Sequence, residues 1–408
     1  MLAIKSKTMT LAALAILDPL SVVAADKTQD RIVMELMAAA GVPGMEAAVV
    51  TSDRIVWEKS FGDAVLNVPG PRKAMKPNTL LDSASMGKLL VTVAALQLVE
   101  KGRIRLDDDI DANLAIVVRN PAWPDVPITW RMLLTHTSSL GDDESDTLVS
   151  GSIVYGRDPS ESLEQFVRDT FSLTGAHHHD GLFRAGKPGT ERIYSNLAFD
   201  TVALAVQRIV GESFDQYVGR AIFKPLGMLD SSYALAGRPA DRFGVGYASL
   251  QNKDRSFRYE PANAFWAHRD PKAPIMDHVF TCSDYPSGCL YTTAHDFALL
   301  MQMFLNDGSV AGVRILSSES VHLMSSPSGF RNLDGWMQGL GMNGPLDLRG
   351  RQLWGHDGVD RGVATIFYLN PATHFGVVAM ANANNPDFTL SYSLLDIGMH
   401  LMSRFEPL

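Results

Sequence analysis

Ser85-Met86-Gly87-Lys88 runs without a break into Leu89-Leu90-Val91-Thr92-Val93-Ala94-Ala95-Leu96-Gln97-Leu98-Val99, and Gly102 follows. The length of this apolar run and its terminal glycine predict a helix over Met86 to Glu100. On such a helix Ser85 stands at the N-terminus and Lys88 lies one turn on along the same face, so the two side chains can touch. A serine hydroxyl is a weak nucleophile. An amine one turn away can take its proton if burial or a nearby cation keeps that amine neutral. The helix start also offers backbone N–H groups to an oxyanion. An N-cap serine followed by a surface lysine is the alternative reading of these four residues.

Downstream, Tyr194-Ser195-Asn196 follows the turn Lys187-Pro188-Gly189-Thr190 and precedes a helical run beginning near Ala198. A phenol and an amide two positions apart on a turn can face one cleft. The same spacing recurs at Tyr368-Leu369-Asn370, which passes from a strand into an Asn-Pro turn and reads as structural. A histidine two residues before a glycine occurs three times, at His179, His356 and His374. His356 is the copy that follows the tyrosine and leads, through Gly358, into a strand able to edge a cleft, where glycine lets substrate approach the backbone closely. The triplet His177 to His179 reads as a solvated loop rather than a metal site, because metal ligands converge from more than one direction.

Taken in order, S-x-x-K, Y-x-N and H-x-G resemble the active-site set of the serine β-lactamase and penicillin-binding-protein family, in its class C and D-alanyl-D-alanine carboxypeptidase branch, the S12 peptidases. The flanking segments Leu98 to Asp109, Ile128 to Ser138, Phe223 to Met228 and Ser287 to Asp296 are similar to that family too, so the likeness runs over roughly residues 30 to 400. The resemblance implies Ser85 as acylated nucleophile, Lys88 and Tyr194 as shared general base and acid, and Asn196 as a contact to a substrate amide. It implies an oxyanion hole from the backbone N–H groups of Ser85 and Val359. His356 stands where class C β-lactamases carry lysine, and near its usual pKa of about 6.5 it would be partly charged at neutral pH. It is expected to bind or polarise the carboxylate or carbonyl side of the substrate. Ser138-Ser139 replaces a Ser-Gly pair common in relatives. The expected activity is that of a serine hydrolase working through an acyl-enzyme on peptide or D-amino-acid-containing amides. A carboxylesterase and a class C-like β-lactamase are the alternatives, and a non-catalytic binding protein is the reading from another class. No cofactor or metal is implied.

Around this set the chain divides by pattern. Thr28 to Ala40 has helical spacing, and Met45 to Thr51 with Arg54 to Phe61 predicts a hairpin turning at Ser52-Asp53. Val363 to Leu369 and Phe375 to Ala381 predict a second hairpin, followed by a helix from Leu390 to Phe405. The middle is helical by pattern at Ile128 to Leu134, Ser162 to Phe171, Ala198 to Val210 and Phe214 to Phe223. The expectation is an α/β (α+β) fold: an antiparallel sheet flanked by helices from both termini, residues 26–84 with 285–408, and a mostly helical inserted sub-domain, residues 85–284, with the active site between them.

Across 408 residues, 46% hydrophobic and 20% charged usage is that of a globular chain. A net charge of −9 supplies no basic footprint, which argues against nucleic acid as a partner. Lys5 and Lys7, the apolar run Met9 to Leu17 and the small residues through Ala25 read as a signal peptide, residues 1–25, for a periplasmic or otherwise exported protein. Asp18 and Pro19 break that run, making it too short to span a membrane, and a retained helix is the other reading. The two cysteines, Cys282 and Cys289, could close a local disulfide or remain free buried thiols.

Overall fold

The computed structural model describes residues 19–142, 152–179, 181–348 and 350–406. Residues 1–18, the larger part of the predicted leader, lie outside them. From Pro19 the chain is helical through Ala40, so the first described helix begins ahead of the expected Thr28. Among the described residues no helix is long and apolar enough to cross a membrane.

Both ends of the chain feed one eight-stranded sheet. Its order is Met337–Gln338, Asn343–Leu348, Arg351–Asp360, Val363–Asn370, Phe375–Ala381, Gly44–Thr51, Ile55–Val65 and Lys73–Ala74. Every neighbouring pair in it is antiparallel. The two predicted hairpins are its centre, joined where Met45 lies opposite Ala381 and Val49 opposite Val377.

Alternation along the strands separates two helical layers, because successive side chains leave a strand on opposite faces. Phe367 lies 6.0 Å from Phe297 and 5.9 Å from Phe304, ring centre to ring centre, both on the helix Ala294–Leu305. Its neighbour Ile366 points the other way, onto the terminal helix Leu390–Met402. A Cβ at Gly398 would come within 2.5 Å of Ile366 Cδ1, so glycine lets that helix lie close to the sheet. With both faces covered, Val363–Asn370 is buried at every position, which is why it reads as an almost unbroken apolar run. The buried Arg351–Glu406 ion pair, with Asn370 Nδ2 donating to Glu406 Oε1 at 2.8 Å, ties the C-terminal segment to the central hairpin. Tyr368 and Asn370, the second Y-x-N copy, belong to this buried framework.

The middle of the chain is predominantly helical and lies on the Ala294–Leu305 side. Lys88–Glu100 is apolar on all faces, and Lys88 through Leu98 are buried, as a helix without a polar stripe must be. It packs against Asn196–Val210, which is capped by Ser195 and closed by Gly211 in the left-handed conformation. The predicted start at Met86 is not met: Ala84–Gly87 forms a separate tight 3₁₀ turn, and the α-helix begins at Lys88.

Candidate active site

Ser85 is held in that turn, not on the first turn of an α-helix. Ala84, just before it, takes a positive φ of 46°, a conformation costly for any residue with a Cβ. Its surroundings impose it. Ala84 N donates to Asp82 Oδ1 at 3.1 Å, and Thr365 Oγ1, on the sheet, donates to the Ser83 carbonyl at 2.9 Å. Gly358 completes the fit, since a Cβ there would fall 2.8 Å from Ser83 O and 2.9 Å from Ser85 N. The glycine expected to admit substrate therefore first admits the backbone that carries Ser85.

Lys88 is fully buried, and its Nζ donates to three oxygens: Ser85 Oγ at 3.1 Å, Asn196 Oδ1 at 2.6 Å and the Ser287 carbonyl at 2.7 Å. Three oxygen partners match the hydrogen-bonding capacity of the nitrogen and offset the cost of its burial. On the other side of the serine, Tyr194 OH donates to Ser85 Oγ at 2.8 Å. Ser85, Lys88, Tyr194 and Asn196 thus form one hydrogen-bonded cluster across a sequence separation of 108 to 109 positions. Asn196 is the first residue of its helix, with its amide oxygen committed to Lys88.

Two residues given no role from sequence position this cluster. Asp142 accepts from Asn196 N at 2.8 Å and from Ser195 Oγ at 3.1 Å, placing a carboxylate at a helix N-terminus. Burial raises its pKa. His136 accepts from Ser195 N at 3.1 Å through Nδ1 and stacks on Tyr194 with ring centres 4.4 Å apart. Burial, then the nearby Arg192 and Lys88, push its pKa well below the usual imidazole value, so the ring is neutral. No local spacing points to either residue. His136 does lie in a segment whose family likeness was visible.

His356 departs from expectation. It lies 6.4 Å from the Tyr194 ring, centre to centre, but it is only 3% exposed, and burial followed by the Lys88 charge pushes its pKa down to about 3. The side chain is therefore a neutral imidazole at neutral pH, not a part-time cation. Its Nδ1 donates to the Asp357 carbonyl, which leaves Nε2 as a buried acceptor without a partner. The other two H-x-G copies are remote: His374 Nδ1 donates to the Leu305 carbonyl at 2.8 Å, and His179 stands in the loop after Phe171. In that loop His177 contacts Glu161 at 2.9 Å and His178 contacts the Thr170 carbonyl at 3.1 Å, so these two face different partners.

A cleft opens beside Ser85, lined among others by Asn196, Asp284, Ser287, Val359 and Arg361. Pairing of Asn343–Leu348 with the Arg351–Asp360 strand stops at Gly355, so residues 356–360 present one backbone edge on the side away from Val363–Asn370. The opposite wall is the loop from Cys282 to Cys289, which a disulfide between those residues closes, with Cα atoms 6.2 Å apart. This resolves the two alternatives for the cysteines. Asp284 within the loop is buried, and burial pushes its pKa up to about 6.

The chain is 24% identical over 358 residues to protein flp of Staphylococcus aureus (strain N315), covering 87% of this chain and 63% of that relative. It is 25% identical over 368 residues to a putative D-alanyl-D-alanine carboxypeptidase of Escherichia coli O157:H7, covering 84% of this chain and 79% of that protein. The crystal structure of D-amino acid amidase from Ochrobactrum anthropi SV3 superposes with a TM-score of 0.69 at 18% identity, over 92% of this chain and 99% of that one. The family model described as Beta-lactamase matches residues 30–395, nearly the whole described chain, and the protein belongs to that family.

Proposed function

We propose that the protein is a serine hydrolase that cleaves small amide bonds, those of peptides or D-amino-acid-containing substrates, through an acyl-enzyme on Ser85. The observation that carries this is the pair of contacts to one hydroxyl, Lys88 Nζ at 3.1 Å and Tyr194 OH at 2.8 Å. Ser85 Oγ attacks the scissile carbonyl while its proton passes to the Lys88–Tyr194 pair, which enters the step with Lys88 as the free amine and leaves it as ammonium. The backbone N–H groups of Ser85 and Val359 receive the oxyanion, a donor set in which each member is typically worth about 10²–10³ in rate. Collapse of the tetrahedral adduct breaks the C–N bond, and Tyr194 returns the proton to the leaving amine. Water then attacks the ester, giving up its proton to the same pair, and Ser85 is restored. Asn196 holds Lys88 with its oxygen and has its NH₂ left for the substrate's acyl carbonyl.

His356 bears on substrate choice. A neutral imidazole with a free acceptor nitrogen gives a carboxylate no counter-charge, and it suits a substrate that brings an N–H donor. This supports amides over carboxylate-bearing β-lactams. The Cys282–Cys289 disulfide supports an exported protein, because such bonds persist in oxidising compartments. We place the cleft between the sub-domains formed by residues 26–84 with 285–408 and by residues 85–284. The test is kcat/KM for nitrocefin, a p-nitrophenyl ester and a panel of L- and D-aminoacyl amides on one preparation. Amide turnover exceeding nitrocefin turnover is expected. Nitrocefin as the best substrate would establish a β-lactamase instead, and ester cleavage alone an esterase.

A further inference from the structure

We infer that Asp284 is the recognition group for an ammonium carried by the acyl portion of the substrate, most simply the free α-amine of an aminoacyl amide or peptide N-terminus. The inference rests on the acyl transfer proposed at Ser85, which supplies the orientation. Tyr194 protonates the leaving group, so the leaving group lies on the side of Ser85 occupied by Tyr194 and His356. The acyl group then enters the cleft on the other side, between the Cys282–Cys289 loop and the strand end Val359–Arg361.

What waits there is a buried carboxylate. Asp284 lines the cleft, is 8% exposed, and has one carboxylate oxygen, Oδ1, with no hydrogen-bond partner. Around it stand the Ser152 hydroxyl, its own backbone N–H and two further carboxylates, Asp142 and Asp360, which raise its pKa further. The nearby Lys88 is engaged elsewhere, with its three oxygens. A buried carboxylate beside like charges, with one oxygen unpartnered among the described residues, favours a cationic hydrogen-bond donor. An ammonium, with three N–H donors in a compact head, supplies both the charge and the missing hydrogen bond. The disulfide fixes the loop that presents Asp284, and Ser287 of the same loop holds Lys88, so the recognition group and the proton-transfer pair share one rigid mount.

Binding separates this proposal from the chemistry. The Ser85→Ala protein is titrated calorimetrically with phenylalanine amide, N-acetylphenylalanine amide and N-acetyl-lysine amide, each as both enantiomers. Phenylalanine amide should bind about 10- to 100-fold more tightly than its N-acetyl form, the range of a charge-assisted hydrogen bond. The ratio should collapse toward one in Ser85→Ala/Asp284→Asn. Equal binding of the first two ligands, or a ratio that survives Asp284→Asn, overturns the proposal. If the Asn variant does not fold, the ratio on the Ser85→Ala protein decides alone. Preference for N-acetyl-lysine amide, abolished by Asp284→Asn, keeps ammonium recognition but moves it from the α-amine to a side chain. Failure of the unaltered enzyme to hydrolyse phenylalanine amide would contradict the amidase reading, while the binding ratio still judges Asp284.

Discussion

Replacing His356 with Asn should remove an acid sensitivity that the burial of this residue builds into the fold. The imidazole is neutral when folded down to about pH 3, whereas in the unfolded chain it takes a proton below about 6.5. The unfolded state therefore binds the additional proton. Stability due to the neutral ring is fully present above about pH 6.5 and lost as pH falls toward 3. Between pH 7 and pH 5 the loss is about 2 kcal/mol, and by pH 3 it exceeds about 4 kcal/mol. Asn keeps a donor for the Asp357 carbonyl and carries no titrating group in this range. Other buried groups titrate too: His136 in the same direction, Asp82, Asp200 and Glu46 in the opposite one, because burial raises those carboxyls. They are common to both proteins and cancel in the comparison. Urea unfolding of wild type and His356→Asn at pH 7 and pH 5 measures the difference. The variant should lose about 2 kcal/mol less than wild type on that step. Equal losses would mean that His356 is protonated in the fold, and the argument for amide over carboxylate substrates would fall with it.

Lys88→Arg should lower kcat/KM by roughly 10²–10⁴, nearly as much as Lys88→Ala, because guanidinium cannot act as a base; near-normal turnover would remove Lys88 from proton transfer. Ser139 has φ of 64° and its Oγ accepts from Asn120 Nδ2 at 2.9 Å. Ser139→Gly should therefore cost less stability than Ser139→Ala, by about 1 kcal/mol, since both lose the bond and only glycine relieves the left-handed backbone; thermal melts of the pair decide it. Converting Cys282 and Cys289 to Ala should cost about 2 kcal/mol and reduce turnover, because the loop also carries Ser287, whose carbonyl holds Lys88; a double variant with wild-type stability and activity would show the loop needs no staple.

The extent to which this site was legible follows from how local its determinants are. Ser85 and Lys88 stand next to an apolar run, and the hairpins at both ends alternate or run apolar in ways that point to a buried antiparallel sheet, so these features could be read directly. The tight turn at Ala84 could not, because its positive φ is imposed by Thr365, 282 residues from the carbonyl it grips, and by the absence of a Cβ at Gly358. Asp142 and His136 were missed for the same reason: their partners Ser195 and Asn196 lie 53 to 59 positions away, and neither residue has a telling local spacing. The charge of His356 was misjudged because spacing locates a side chain without reporting its burial. Asp284 lies between two cysteines whose pairing the sequence leaves open, and its unpartnered oxygen emerges only from the folded loop.

Intact-mass spectrometry with a slow ester substrate or a fluorophosphonate, followed by peptide mapping, tests the central claim most directly. One acyl or phosphonyl adduct should form on Ser85 and be absent from Ser85→Ala protein that melts like wild type. An adduct on Ser83 or Ser195, or hydrolysis without any adduct on Ser85, would contradict the acyl-enzyme account.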